Sequence, residues 1–294
     1  MLAIVLALVA AMGFGSAAIF ARIGMNKFNP LPATFISSVA SLVPLMLLAL
    51  IFAIDDFKAL PPLAYLLFLG HGALTFVGGR MQNLLSIKFI GAARSGPFVG
   101  SAALFSALFA TTLMGEELGL LIGIGTFLVV IGLAGSTGDL LGNQWKIDRR
   151  SLLGYTFGLG AAACYGGSNL AAKALSLEYG SPLVVAAMGV LFGSLLLGFC
   201  SGKRTFASIV SDRRGVLFLT FSGWSAAIAV VSLYYAFTMS DVVIISPIAA
   251  INPLITILLA QLFLSRIEKV SLPVLLGAMV AVAGVGLVII GGAL

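Results

Sequence analysis

Few residues in this chain could do chemistry, and they fall into two sets. All ten carboxylates (Asp55, Asp56, Glu116, Glu117, Asp139, Asp148, Glu178, Asp212, Asp241 and Glu268) lie in or beside turns between apolar runs. The ionisable groups within those runs are basic: His71 and Arg80 inside one run, Arg22 and Lys173 at the ends of two others. A charge inside a bilayer is costly and normally faces a partner or a cavity. Cations with no carboxylate at mid-span predict a site for a carboxylate or phosphate group. They argue against a site for cationic compounds and against proton antiport through a buried acid. For Arg22 and Lys173 the alternative is snorkelling to the interface, and for Arg80 it is bonding to the carbonyls of a neighbouring helix.

Helical spacing extends these points into faces. His71, the single histidine, shares a face with Thr75, Gly78, Gly79 and Gln82, a polar and open wall suited to a substrate, with Arg80 on the opposite side. The alternative is a histidine hydrogen-bonded within the bundle. Trp224, Ile228, Val231, Ser232 and Tyr235 form a second candidate wall, in which Trp224 either stacks on a substrate or marks the membrane interface. Trp145 is expected as an interfacial anchor. Asn169 follows Gly166-Gly167-Ser168, where close backbone approach lets an amide reach a neighbour or a ligand. Pro97, Pro247 and Pro253 are candidate hinges, and Asn252-Pro253 leaves a carbonyl one turn earlier without its donor. Gly119/Gly123, Gly154/Gly158 and Gly189/Gly193 read as close helix contacts. Cys164 and Cys200 carry no metal or disulfide spacing, so no metal or cofactor is expected. A membrane-embedded lipid enzyme would need clustered carboxylates or a nucleophile–base pair, and no such motif occurs in the sequence.

These residues are positioned by a chain built for the bilayer. Of 294 residues, 61% are hydrophobic and 9% charged, with a mean hydropathy of +1.17, too little charge to cover a soluble surface. The net charge of +6 comes with no basic, aromatic-interleaved patch, so nucleic acid is not an expected partner. Ten runs are long enough to span: about 2–22, 31–54, 63–87, 95–114, 118–137, 151–173, 181–200, 216–239, 242–264 and 271–292. The first lacks a basic leader and reads as mature structure. The expected fold is all-α and polytopic.

Residues 10–22, AAMGFGSAAIFAR, align with 161–173, AAACYGGSNLAAK; Pro97 matches Pro247, and Gly125 and Gly132 match Gly277 and Gly284. The chain thus divides into two five-helix repeats, 1–145 and 146–294. An odd number of spans inverts the second repeat, the architecture used for alternating access around a central cavity. The Lys and Arg residues other than Lys58, Lys173 and Arg80 all fall in loops after odd-numbered spans, which places those loops in the cytoplasm and both termini outside.

Tyr165-Gly166-Gly167-Ser168-Asn169-Leu170-Ala171-Ala172-Lys173 resembles the first-helix signature of the EamA domain of the drug/metabolite transporter superfamily. Tyr235-Ala236, Pro247, Pro253 and Glu268 resemble its second hallmark, and Phe14-Gly15, Arg22, Pro97 and Glu117 occupy the matching places in the first repeat. Arg22 stands where the family has Lys, Phe14 where it usually has Trp, and the fourth helix lacks the second proline. The resemblance implies a ten-helix basket with a cavity lined by spans 1, 3, 4, 6, 8 and 9. It also implies transport of small metabolites, commonly amino-acid export, by alternating access. The expected setting is the plasma (bacterial inner) membrane and the expected state a monomer or weak homodimer. The alternative is an importer or exchanger of a phosphorylated or carboxylated metabolite. Substrate-binding residues are then expected among His71, Thr75, Arg80, Gln82, Tyr165, Asn169, Trp224, Tyr235 and Asn252. It further implies cytoplasmic termini, opposite to the charge bias. The asymmetry at Asn252-Pro253 predicts that span 9 bends differently from span 4.

Overall fold

The computed structural model describes residues 1–25, 28–90, 95, 98–135, 149–200, 212–264 and 272–293, and every regular element among them is helical. Pro97, Trp145 and Glu268, each given an expected role above, lie outside the described residues. The first repeat runs α1 (Leu2–Gly24), α2 (Pro30–Phe52), a short α3 (Ile54–Ala59), α4 (Pro62–Gly72), a π-helical segment (Ala73–Met81), α5 (Gln82–Ile90), α6 (Ala102–Phe109), a second π-helical segment (Ala110–Met114) and α7 (Leu120–Gly135). The second runs α8 (Arg149–Glu178), α9 (Pro182–Cys200), α10 (Arg213–Met239), α11 (Val242–Ala249), α12 (Asn252–Leu264) and α13 (Leu272–Gly291). Among the described residues, six helices are long and apolar enough to cross a membrane, and three shorter apolar ones accompany them. The tenth is α8, whose 30 residues would extend about 45 Å, well beyond a hydrocarbon core of about 30 Å.

Packing orders the helices into a ring. Span 3 (α4 to α5) lies against α8, α8 against α6, α6 against α11, α11 and α12 against α1, α1 against α10, α10 against α2, α2 against α9, and α9 back against span 3. The repeats therefore interleave, and α7 and α13 pair beside the ring. Without water-driven burial between spans, small residues set how closely these helices approach. A Cβ on Gly132 would collide with the Ala281 backbone nitrogen, and one on Gly223 with the Ser37 carbonyl oxygen. Gly154 packs on Ile90, Gly158 on Phe98, Gly189 on His71 and Gly193 on Phe76. Gly119 and Gly123 differ from expectation, because among the described residues the side chains near them are Ile122 and Leu118 of their own segment, about 3.9 Å away.

Spans 4 and 9 break at matching depth. Span 9 stops at Ala249, turns through Ala250-Ile251 and resumes at Asn252. Pro253 cannot donate to the Ala249 carbonyl, and the Asn252 side-chain amide donates to it at 3.2 Å. Span 4 turns at Ser101, whose hydroxyl donates to the Phe98 carbonyl. Both spans break, and they differ in how: span 9 breaks at Pro253, whereas span 4 breaks without proline, where a serine hydroxyl returns to a backbone carbonyl and loosens the helix.

Candidate functional site

Three polar side chains of α8, spaced by four residues, meet polar partners on other helices at three levels. Four residues of helix rise about 6 Å and nearly complete a turn, so Tyr165, Asn169 and Lys173 form a ladder on one side. At the first level Tyr165 lies against Gly79 of span 3, beside Arg80 and Asn83. Arg80 Nη2 donates to Ser37 Oγ of α2 at 2.8 Å. At the second, Asn169 Nδ2 donates to Ser106 Oγ of α6 at 3.0 Å and to Ser246 Oγ of α11 at 3.5 Å. At the third, Lys173 Nζ donates to Glu116 Oε1 at 2.8 Å and to Asp241 Oδ1 at 3.1 Å.

The third level owes its geometry to one glycine. The π-helical turn ends at Gly115 with φ +69°, a left-handed conformation that favours glycine. The chain reverses there and sends the Glu116 carboxylate to the start of α11, where it accepts from Val242 N at 3.1 Å and Val243 N at 3.0 Å. Two free N–H groups and the positive end of the helix dipole favour an anion at that place. Glu116 is 6% and Lys173 12% exposed, whereas Asp241 is 54% exposed. Lys173 is thus paired, where snorkelling had been the alternative. A carboxylate does take part in the interior polar system, although sequence position placed Glu116 in a turn. A cavity of about 470 Å³ lies at this level, lined by Met114, Gly115, Glu116, Glu117, Lys173 and Asp241.

A second network crosses between repeats beside the ladder. His71 Nε2 and Tyr234 Oη are 2.9 Å apart, and the Thr75 and Ser168 hydroxyls are hydrogen-bonded. Thr75 Oγ1 also donates to the His71 carbonyl at 2.8 Å, and Tyr234 faces both hydroxyls. His71 is buried, and its Nδ1 has no hydrogen-bond partner among the described residues. The π-helical turn, whose hydrogen bonds close one residue later than in an α-helix, carries Thr75, Gly78, Gly79 and Arg80.

The expected open wall of His71, Thr75, Gly78, Gly79 and Gln82 is filled in this conformation. Cys164 occupies the space at Gly78 and Tyr165 that at Gly79, and the Gln82 amide lies against Gly160 and 3.8 Å from Cys164 Sγ. Tyr235 Oη meets Ser181 Oγ at 3.2 Å. Asn252 serves the break in span 9. Trp224 is 48% exposed on a stripe with Leu217, Phe221 and Ile228, and its ring meets that of Phe221 edge-on. That stripe is turned outward, as an interfacial or lipid-facing residue would be. A larger cavity, about 710 Å³, is almost wholly apolar and runs along Ala163, Gly167, Ala171 and Ala174 of α8 between Leu74 and Leu113. These α8 positions are turned away from Tyr165 and Ala172, and Leu113 is exposed, so this groove opens on the outside of the bundle. None of the nine expected substrate-binding residues lines either cavity. The described residues include no cluster of three metal-ligating side chains.

Sequence reasoning missed Ser106, Ser168, Ser246, Tyr234 and Glu116 as interior partners, and Asp241 as the half-exposed partner of Lys173. Serine and tyrosine are common in membrane helices for packing alone, and carboxylates in turns read as loop residues. The available signal was spacing: Asn169 and Lys173 four residues apart on a helix meet one neighbour face.

Comparison with known proteins adds the family. No curated protein matches the chain. A solved crystal structure superposes with a TM-score of 0.80 at 15% identity, over 99% of this chain and 97% of its own, a likeness of fold. The model of the EamA-like transporter family matches twice, over residues 1–138 and 152–290. With both five-helix repeats matched, the chain belongs to the EamA-like transporter family of polytopic membrane proteins.

Proposed function

We propose that this transporter moves a small metabolite bearing a carboxylate, most favourably an amino acid, out of the cell by alternating access, with residues 1–145 and 146–294 as the two moving units. One observation carries the reading: the polar ladder of Tyr165, Asn169 and Lys173 faces the opposite repeat at each level, through Arg80, Ser106 and Glu116. Hydrogen-bonding groups held at a junction of repeats can exchange their partners for those of a substrate, at a backbone cost absorbed by the breaks at Ser101 and Ala250-Ile251. Arg80 donates to a neutral hydroxyl, that of Ser37, and its planar donors suit a carboxylate. Asn169 offers an amide to the polar part of the substrate, and His71 and Tyr234 define a second polar contact across the repeats.

The test is substrate discrimination in proteoliposomes. The native protein should transport an amino acid and not its carboxamide, and Arg80→Gln should abolish that preference. A charge-assisted hydrogen bond is worth about 1.5–3 kcal/mol, so the loss in kcat/KM should be about 10- to 100-fold. Equal handling of acid and amide by the native protein would remove Arg80 from this role. Transport of a phosphorylated metabolite in place of the amino acid would keep Arg80 and change the substrate class.

A further inference from the structure

We propose that Glu116, Lys173 and Asp241 form a releasable ionic latch that seals one end of the substrate pathway between the two repeats. The inference rests on the alternating-access reading above. Glu116 belongs to the first repeat, whereas Lys173 and Asp241 belong to the second. One carboxylate therefore ties the end of span 4 to the end of α8 and to the first turn of α11, through Lys173 Nζ, Val242 N and Val243 N. Nothing comparable is offered by Lys58–Asp55, which joins neighbours on one short helix with side chains 70% and 90% exposed.

The position of the latch gives it its role. Asn169 and Ser246 are bonded to each other, and each lies one helical turn deeper than a latch residue: Asn169 below Lys173, Ser246 below Val242. The latch therefore stands between this polar pair and the aqueous face, and parting its members exposes the pair. The fastening is polar and reversible. Asp241 is half-exposed and a cavity of about 470 Å³ adjoins the cluster, so water can take over each hydrogen bond as it breaks. Gly115, in the left-handed region, is where the chain reverses to carry Glu116 across.

The experiment places a reporter beneath the latch. In a background of Cys164→Ala and Cys200→Ser, Ser246→Cys puts a near-isosteric thiol at a position that is 3% exposed. Labelling by a membrane-impermeant maleimide is then followed in the full-length protein in vesicles of both orientations. Glu116→Gln and Lys173→Met should each raise the labelling rate from the latch side by about tenfold or more, as expected when a closed state loses its differential stabilisation. Lys58→Met should leave it unchanged. A Thr126→Cys reporter, 1% exposed and on α7, distinguishes opening from unfolding and should remain unlabelled throughout. Unchanged labelling at Ser246→Cys in both latch variants would overturn the proposal, and so would equal gains at both reporters. The assay needs no substrate. A latch that opens in a protein that carries no compound would overturn the transport reading and leave the latch standing.

Discussion

Tyr234→Phe removes one hydroxyl and no volume, which makes it a clean perturbation of the network between repeats. Its Oη is 2.9 Å from His71 Nε2, and the other ring nitrogen of His71 has no partner among the described residues. The variant would leave the imidazole with neither nitrogen bonded in a buried place. An orphaned buried polar group costs about 1–3 kcal/mol in soluble proteins, while side-chain hydrogen bonds in membrane bundles average about 0.6 kcal/mol with a maximum near 1.7. Thr75 and Ser168 still bond each other without Tyr234, so the largest share of the loss falls on His71. We therefore expect about 1 kcal/mol, a fall in the apparent Tm of about 2–4 °C in mild detergent. The double-mutant cycle with His71→Asn should show a coupling energy of about 0.5 kcal/mol or more. An unchanged Tm in Tyr234→Phe, or additive losses in the cycle, would refute the claim that these two rings hold the repeats together.

Three further outcomes follow from packing and exposure. Gly132→Ala should lower thermal stability by about 1–3 kcal/mol through its collision with the Ala281 backbone, while Gly286→Ala, with open space at its Cβ, should be neutral or mildly stabilising; equal effects in thermal scans would contradict the α7–α13 contact. Trp224→Ala should leave transport kinetics within about twofold of the native protein because the ring is turned outward, and a large rise in KM would return it to the pathway. Cys200 is exposed and Cys164 half-buried, so an impermeant maleimide should modify Cys200 first. The charge bias places the end of α9 in the cytoplasm, so this labelling should occur in inverted vesicles and not in intact cells. The opposite sidedness would establish the orientation implied by family resemblance.

Much of the architecture was legible in the sequence because the bilayer writes its constraint there directly. A span needs about 20 residues without exposed backbone polarity, so runs such as 2–22 and 216–239 predict α1 and α10 nearly to their ends. The repeat was legible for a related reason: glycines that permit closest approach, such as Gly132 and its match Gly284, recur at matching places. The break in span 9 showed through Pro253, but its counterpart at Ser101 did not, since Ala103 stands where a proline would announce it. The face of span 3 was misplaced as an open wall because Gly78 and Gly79 reveal a gap without revealing that Cys164 and Tyr165 fill it. The latch was hidden by distance along the chain: Glu116 is 57 residues from Lys173, and Lys173 is 68 from Asp241. Pairings between remote turns depend on how helices are placed, which local periodicity does not encode.

Counterflow in proteoliposomes tests the central claim most directly. Vesicles holding the purified protein and preloaded with an unlabelled amino acid are diluted into a trace of the same compound, labelled. An alternating-access carrier predicts transient accumulation of label above equilibrium, saturable and diminished by Arg80→Gln. Entry that is linear in concentration, indifferent to preloading and unchanged in the variant would contradict the account.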